Sequence, residues 1–392
     1  MNQVNNQVKM LTAQEFSDII NSTLQKKENL IANIQVIEPF LWHASAFSSL
    51  KFENCKFEHL EFGAVDFNEL IFDNCKAKVV RIIASFKAEK IILKYNNVFN
   101  EFLISGCKKI ELIDFEFHNI IDDFQYYNSE AKRIHLQGNF KNILIGSRVK
   151  INSLSFRLCN VSSILELNDI KPLDNGDFIE LIRCNFNLIK FHHNDFDSFK
   201  NGLRITSTSL SNSEWLGDFP KKIHTFSEDG ANRRLLDIEQ RELYREIKHA
   251  CFSRSDNIKA LIVQRKELNQ YKKNLKYEPF KKRFILKIQF FLNELSNEHG
   301  TNWFRGFLFT VFMVGLPLFL SILLIEGKFC VSSFSELSNA FLQFLQPISN
   351  ITKIGDDFTL STPSIVINAF ARIFITYGYY QTIQAFRFFG KK

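Results

Sequence analysis

The sequence predicts a mixed architecture: a β-helix of short stacked repeats, then a helical hairpin, then an α-helical transmembrane module. Three observations predict it. Phenylalanine recurs every fifth residue in 50–77, LKFENCKFEHLEFGAVDFNELIFDNCKA. Glycine and proline are absent from 231–276, and a run of twenty uncharged residues extends from Gly306 to Ile325.

The five-residue period places Phe52, Phe57, Phe62, Phe67 and Phe72 in step, with Leu50, Cys55, Leu60, Val65 and Leu70 two residues before each. Neither a helix, which repeats at 3.6, nor a half-buried strand, which repeats at 2, has this period. Repeats of this kind bury their apolar side only against neighbouring units. The pattern fades and returns at Cys184/Phe186, Ile189/Phe191 and Asn194/Phe196. It resembles the pentapeptide-repeat proteins, which implies a right-handed, four-sided β-helix with the central Phe and the residue two before it pointing inward. Two amphipathic hairpins with coincident spacing are the alternative. Strand-type runs at 90–95, 109–113, 133–137, 152–156, 178–183 and 203–208 are separated by turn residues such as Gly106, Asn128, Gly138, Gly146 and Asn160. Their spacing of roughly 20 residues suits one coil of four sides, so the β-helix is expected over 41–225. The preceding 1–40 carries helical spacing at Phe16, Ile19, Ile20 and Leu24, as a cap over the open end of the coil would.

Residues 226–300 read as a basic helical connector. Two helices are expected, broken near Ser253–Asn257, with Asp256 or Asn257 as the N-cap of the second. A third amphipathic run follows Pro279, with Phe284, Ile288, Phe291, Leu292 and Leu295 on one face and Lys281, Lys282, Arg283 and Lys287 at its start. It either lies at a membrane surface or packs on the helical pair. Sixteen Lys and Arg against eleven Asp and Glu make this connector net positive. Arg233, Arg234, Arg265, Lys266, Lys272 and Lys273 are the candidates for an anionic partner, either lipid headgroups or a nucleotide or oligonucleotide signal; a solvated charged face is the alternative.

Residues 301–392 form the expected transmembrane domain, with spans at about 304–325 and 364–386. Gly306–Ile325 is long enough to cross a hydrocarbon core, and Trp303 and Arg305 stand at its start. The second span carries Asn368, Arg372 and two glutamines, and an amphipathic surface helix is its alternative. Between them, 335–351 is apolar in its middle and too short to span: either a re-entrant segment or an interfacial helix. On the second span Asn368, Arg372, Thr376 and Tyr379 fall within an arc of about 80° at 100° per residue. An arginine at depth is costly in lipid, so this stripe is a candidate pore lining, with outward snorkelling of Arg372 as the alternative. Two helices cannot enclose a lumen, so a pore requires a homo-oligomer.

The stretch ELYREIKHACFSRSDNIKALIVQRKEL, followed by FFLNELSNEHGTNWFRG, is similar to the connector of bacterial pentapeptide-repeat proteins that end in a two-span, ion-channel-like membrane domain. The matching positions are Tyr244, Arg245, Lys248, Asp256, Ala260, Glu267, Ser296, Gly300 and Trp303. His299 stands where that pattern has an aromatic Tyr, and no TVGYG-like carbonyl filter occurs between the spans, so potassium selectivity is not implied. The resemblance implies a tetramer in the bilayer and an effector that depolarises cells in anti-phage defence. A membrane-anchored scaffold that binds a partner protein is the alternative function.

The excess of cations before the first span, compared with only Lys328 and Lys353 in 326–363, places both termini in the cytoplasm and the protein in a bacterial inner membrane. The start MNQVNNQVKM lacks an apolar core, so no signal peptide is expected. The seven cysteines have no paired spacing, which suits a reducing compartment. Residues 41–225 hold 23 Lys and Arg and 23 Asp and Glu, which argues against an acidic DNA mimic. His192-His193-Asn194-Asp195 occupies a repeat turn rather than a metal-ligand pattern. No phosphate loop, nucleophile elbow or HExxH pattern occurs, so neither an enzyme nor a cofactor is expected.

Overall fold

The computed structural model describes residues 9–25, 30–43, 47–63, 66–83, 87–174, 176–221, 223–225, 233–297, 303–323, 334–346, 353–354, 358–359 and 362–389. The chain divides into two compact units, Met1–Arg254 and Ser255–Lys392.

The first unit is a parallel β-solenoid of about nine turns. Its ladder begins before residue 41, with β1 (Lys9–Leu11), β2 (Leu30–Ala32), β3 (Ile34–Val36) and β4 (Phe40–Trp42). The repeat region supplies β5 (Phe47–Glu53), β6 (Lys56–Gly63), β7 (Asp66–Asp73) and β8 (Lys76–Ile83). In register, Phe52 of β5 lies on Phe72 of β7 and Leu60 of β6 on Val80 of β8, each 20 residues apart. Phe52 and Phe72 stack at 5.3 Å between ring centroids, and all five repeat phenylalanines are buried. So are Leu50, Cys55, Leu60 and Leu70; Val65 lies outside the described residues.

Beyond β8 come β9 (Lys87–Leu93), β10 (Val98–Ser105), β11 (Ile110–Phe115) and β12 (Ile120–Tyr127). A 42-residue extended stretch, β13 (Glu130–Lys171), then bends at left-handed residues such as Ser147 and Leu158. The ladder closes with β14 (Phe178–Ile182), β15 (Asn185–His192), β16 (Leu203–Thr206), β17 (Ser213–Leu216) and β18 (Ile223–His224). In the second repeat block Phe191 and Phe196 are buried, whereas Phe186 is only half-buried.

The corners explain the cysteines. Asn54, Asn74, Gly106, Leu158 and Arg183 have positive φ, and each is followed by a buried cysteine: Cys55, Cys75, Cys107, Cys159 and Cys184. Each thiol donates to a carbonyl of the coil below, as Cys75 does to Phe52 and Cys159 to Leu136. Where the corner residue is Asn, Ser or Thr instead, its oxygen accepts the corner N–H of the preceding coil. Asn97 accepts from Cys75, Asn119 from Asn97, Ser129 from Cys107 and Thr208 from Cys184. Small polar side chains thus satisfy backbone groups that the ladder leaves orphaned at each bend.

Helices close both ends. Helix α1 (Ala13–Gln25) opens with a capping box, in which Thr12 N–H donates to Glu15 and Glu15 N–H to the Thr12 hydroxyl. It buries Phe16 against Phe40 and Phe57. Helix α2 (Arg233–Ser253) packs on the last coil through Leu243, Tyr244 and Ile247, so the expected connector is divided between the units at Arg254/Ser255.

The second unit is helical: α3 (Asn257–Asn274), α4 (Phe280–Asn297), α5 (Trp303–Leu323), α6 (Phe334–Leu345) and α7 (Thr362–Phe389). The break before α3 falls where the sequence places it, and Asp256 caps it by accepting from Lys259 N–H at 3.1 Å. A short antiparallel pair, β19 (Lys353–Ile354) and β20 (Phe358–Thr359), precedes α7. Helices stand at both expected spans, yet within the described residues no helix is long and apolar enough to cross a membrane.

Candidate functional site

In the first unit the cap helix α2 frames a groove of about 400 Å³ against the last coil. Its lining includes Ser207, Thr208, Thr225, Glu239, Glu242 and Glu246. Glu246 accepts from Leu210 N–H at 2.8 Å and from the Ser209 hydroxyl at 3.0 Å, which ties α2 to the coil end. Thr225 donates to the Leu236 carbonyl and Gln240 to that of Ile223. Arg254 pairs with Glu214 at 2.6 Å. Residues at i, i+3 and i+7 share a helix face, so three carboxylates of α2 meet the groove, which is therefore unsuited to an anion. The charge pattern of 239–246 carries this in the sequence.

The cation candidates do not form one set. Arg233 and Arg234 are exposed on α2, in the first unit. Arg265, Lys266, Lys272 and Lys273 lie along one side of α3, in the second, where Lys272 pairs with Glu294 at 2.5 Å. The residues 193–197 of the His-Asn-Asp turn line a separate groove of about 310 Å³ with 217–220. His192 sits between Glu166 at 3.7 Å and Glu214 at 4.0 Å. Among the described residues no group of three metal-ligating side chains converges.

In the second unit the stripe on α7 is split. Asn368 and Arg372 are only 1 % and 7 % exposed, and Arg372 Nε donates to Asn368 Oδ1 at 3.1 Å. Thr376 and Tyr379 remain exposed. Thr376 donates to the Arg372 carbonyl, and Tyr379 donates to the Leu345 carbonyl at the end of α6. Ile365, three residues before Asn368 and on the same side of α7, packs beside a core of Val314, Leu318, Ala340, Ala371 and Ile375, so part of the striped side meets protein.

Two features of this unit were missed from sequence. Gly306 and Thr310 of α5 interlock with Thr382 and Gly378 of α7: a Cβ at 306 would stand 2.8 Å from Thr382 Oγ1, and one at 378 would overlap Thr310 Oγ1. The Gly-x-x-x-Thr spacing at 306–310 and again at 378–382 is the signal that was available. Asn293 of α4 accepts from Tyr377 and from Gln381 of α7, the latter at 3.1 Å, joining the amphipathic helix to the last one.

No protein-family model, curated protein or solved structure matches the chain.

Proposed function

We propose that the protein is a membrane effector whose cytoplasmic β-solenoid binds a signal and whose C-terminal helices, assembled as a homo-oligomer, conduct ions. The carrying observation is reversed polarity in the second unit. Thr310, Ser364, Asn368, Arg372 and Gln381 are buried, whereas Phe304, Phe307, Phe312, Phe319, Phe370 and Ile373 are exposed. Exposed apolar area in water forfeits about 25 cal/mol per Å², a penalty that hydrocarbon removes. Close crossing at small residues, as at Gly306 and Gly378, and hydrogen bonds between helices, as from Gln381 to Asn293, are means by which helices associate in lipid. Leaving Thr376 and Tyr379 exposed gives an oligomer polar groups with which to line a lumen. An inner-membrane location and a depolarising role in anti-phage defence are part of the same proposal.

A second reading has its own observation. Asn368 and Arg372 are covered within a single copy, as expected if the helices tether a β-helix scaffold that binds a protein partner without conducting ions. Potassium release from liposomes reconstituted with the full chain separates the two. Release that scales steeply with protein-to-lipid ratio supports the oligomeric pore; firm insertion without release supports the tether.

A further inference from the structure

The amphipathic helix α4 leaves its apolar face unpartnered. Phe280, Phe284, Ile288, Phe291 and Leu295 fall within an arc of about 80° at 100° per residue, and all five are exposed, Phe284 at 58 % and Phe291 at 61 %. The opposite side holds α4 to its own unit through buried Phe290, which meets Tyr271 at 5.4 Å, and through Asn293. The helix is therefore fixed in rotation with its apolar stripe outward. Within 280–297 four cations, Lys281, Lys282, Arg283 and Lys287, stand against a single carboxylate, Glu294. Lys282 pairs with Glu278 at 3.0 Å and Arg283 lies over the Phe280 ring. Lys281 and Lys287, both exposed, have no carboxylate partner among the described residues.

We infer that α4 lies in the plane of an anionic bilayer surface, with the 280–295 stripe among the acyl chains and Lys281 and Lys287 on the headgroup phosphates. The inference rests on the membrane reading of the unit and adds a lipid charge requirement to it. Charge complementarity selects the occupant. An apolar stripe accompanied by cations fits an anionic lipid surface, where long lysine stems keep their ammonium groups at headgroup level. The stripe belongs to the unit that exposes Phe304, Phe307 and Phe312 of α5 and Phe370 of α7, so one apolar medium serves all three helices. Through Asn293, the position of α4 is mechanically linked to α7, and surface charge of the lipid becomes an input to the last helix.

The test uses the full chain with Cys330→Ser, its remaining cysteines being buried. An environment-sensitive fluorophore is attached at Ile288→Cys or, separately, at Leu316→Cys of α5. Each protein is reconstituted in purely zwitterionic vesicles or in vesicles with a third anionic lipid, and quenching by aqueous acrylamide, which is uncharged and so not repelled by anionic lipid, is measured. The inference predicts that position 316 is shielded in both lipids. Position 288 should become less quenchable, by about threefold or more, only with anionic lipid, since each surface cation adds about fivefold to binding. Lys281→Gln with Lys287→Gln should abolish that difference and leave 316 unchanged. Shielding at 316 with 288 quenched equally in both lipids overturns the inference and leaves the membrane reading standing. Shielding of 288 that rises with protein-to-lipid ratio, equally in both lipids, overturns it in favour of a second copy of the chain, and free quenching at both positions overturns both readings.

Discussion

Gly378 of α7 lies against Thr310 of α5 so closely that a Cβ at 378 would overlap the threonine hydroxyl and stand 3.3 Å from its Cβ. Gly306 and Thr382 repeat the arrangement one turn away, and each threonine hydroxyl donates to the glycine carbonyl four residues earlier in its own helix at 2.9 Å. Gly378→Leu should force α5 and α7 apart at a cost of about 1–3 kcal/mol. Val366→Leu on the exposed face of α7 should be nearly neutral. Thermal unfolding of the detergent-solubilised chain checks this, and equal melting of the two variants would contradict the crossing.

In the first unit, Phe62 is fully buried and its ring touches those of Trp42, Phe67 and Phe72. Phe62→Ala should cost about 3–5 kcal/mol, against little for exposed Lys56→Ala. Asn119→Leu should also be severe, because Asn119 accepts from the Asn97 N–H and donates to the Leu93 and Glu116 carbonyls. Leaving such groups buried and unpaired costs about 1–3 kcal/mol each. Urea unfolding of the 1–254 fragment measures both, and a flat response would sink the stacked-coil interior.

The five-residue rhythm was legible because the first full coils are 20 residues long. It fades after β8 because coil length changes while the ladder persists: Val80 pairs with Phe102, 22 residues on, Phe124 with Ile143, 19 on, and Leu165 with Ile189, 24 on. A fixed period cannot follow such steps, so β10, β12 and β17 were not foreseen. The left-handed corner followed by Cys, Asn, Ser or Thr is the more durable signal, present in Asn54-Cys55, His118-Asn119 and Ser207-Thr208 alike. At the other end, helical spacing placed Asn368 and Arg372 on one side of α7 but could not reveal that their own chain covers them. That depends on helices distant in sequence, α5 coming close to α7 where Gly306 meets Thr382 and Gly378 meets Thr310.

Burial also sets an alkaline limit. It pushes the Cys107 thiol up to about 12, and holds Cys75 and the Tyr126 phenol well above their ordinary values. The folded thiol keeps its proton above pH 9, where an unfolded one loses it. Stability is therefore intact below about pH 9 and falls as pH rises toward 12, by about 1.4 kcal/mol per pH unit for each such thiol. Denaturation midpoints at pH 8 and 10.5 should show the loss, with Cys107→Ala less sensitive by one proton. A constant midpoint would refute the assignment.

Binding of an oligonucleotide or nucleotide by the α3 cations should be electrostatic. Replacing Arg265, Lys266 and Lys273 with Gln should weaken it in all sequence contexts and flatten its salt dependence. Filter binding at two salt concentrations decides; affinity unchanged by the triple variant would remove α3 as the contact.

Ion conduction by the assembled C-terminal helices is tested most directly in planar bilayers. With purified full chain under a salt gradient, the account predicts discrete current steps and a reversal potential that Thr376→Glu, on the exposed part of the stripe, shifts strongly, Thr376→Ser shifts little and Phe374→Leu leaves alone. Inserted protein that passes no current, or steps whose reversal potential ignores Thr376→Glu, would contradict it.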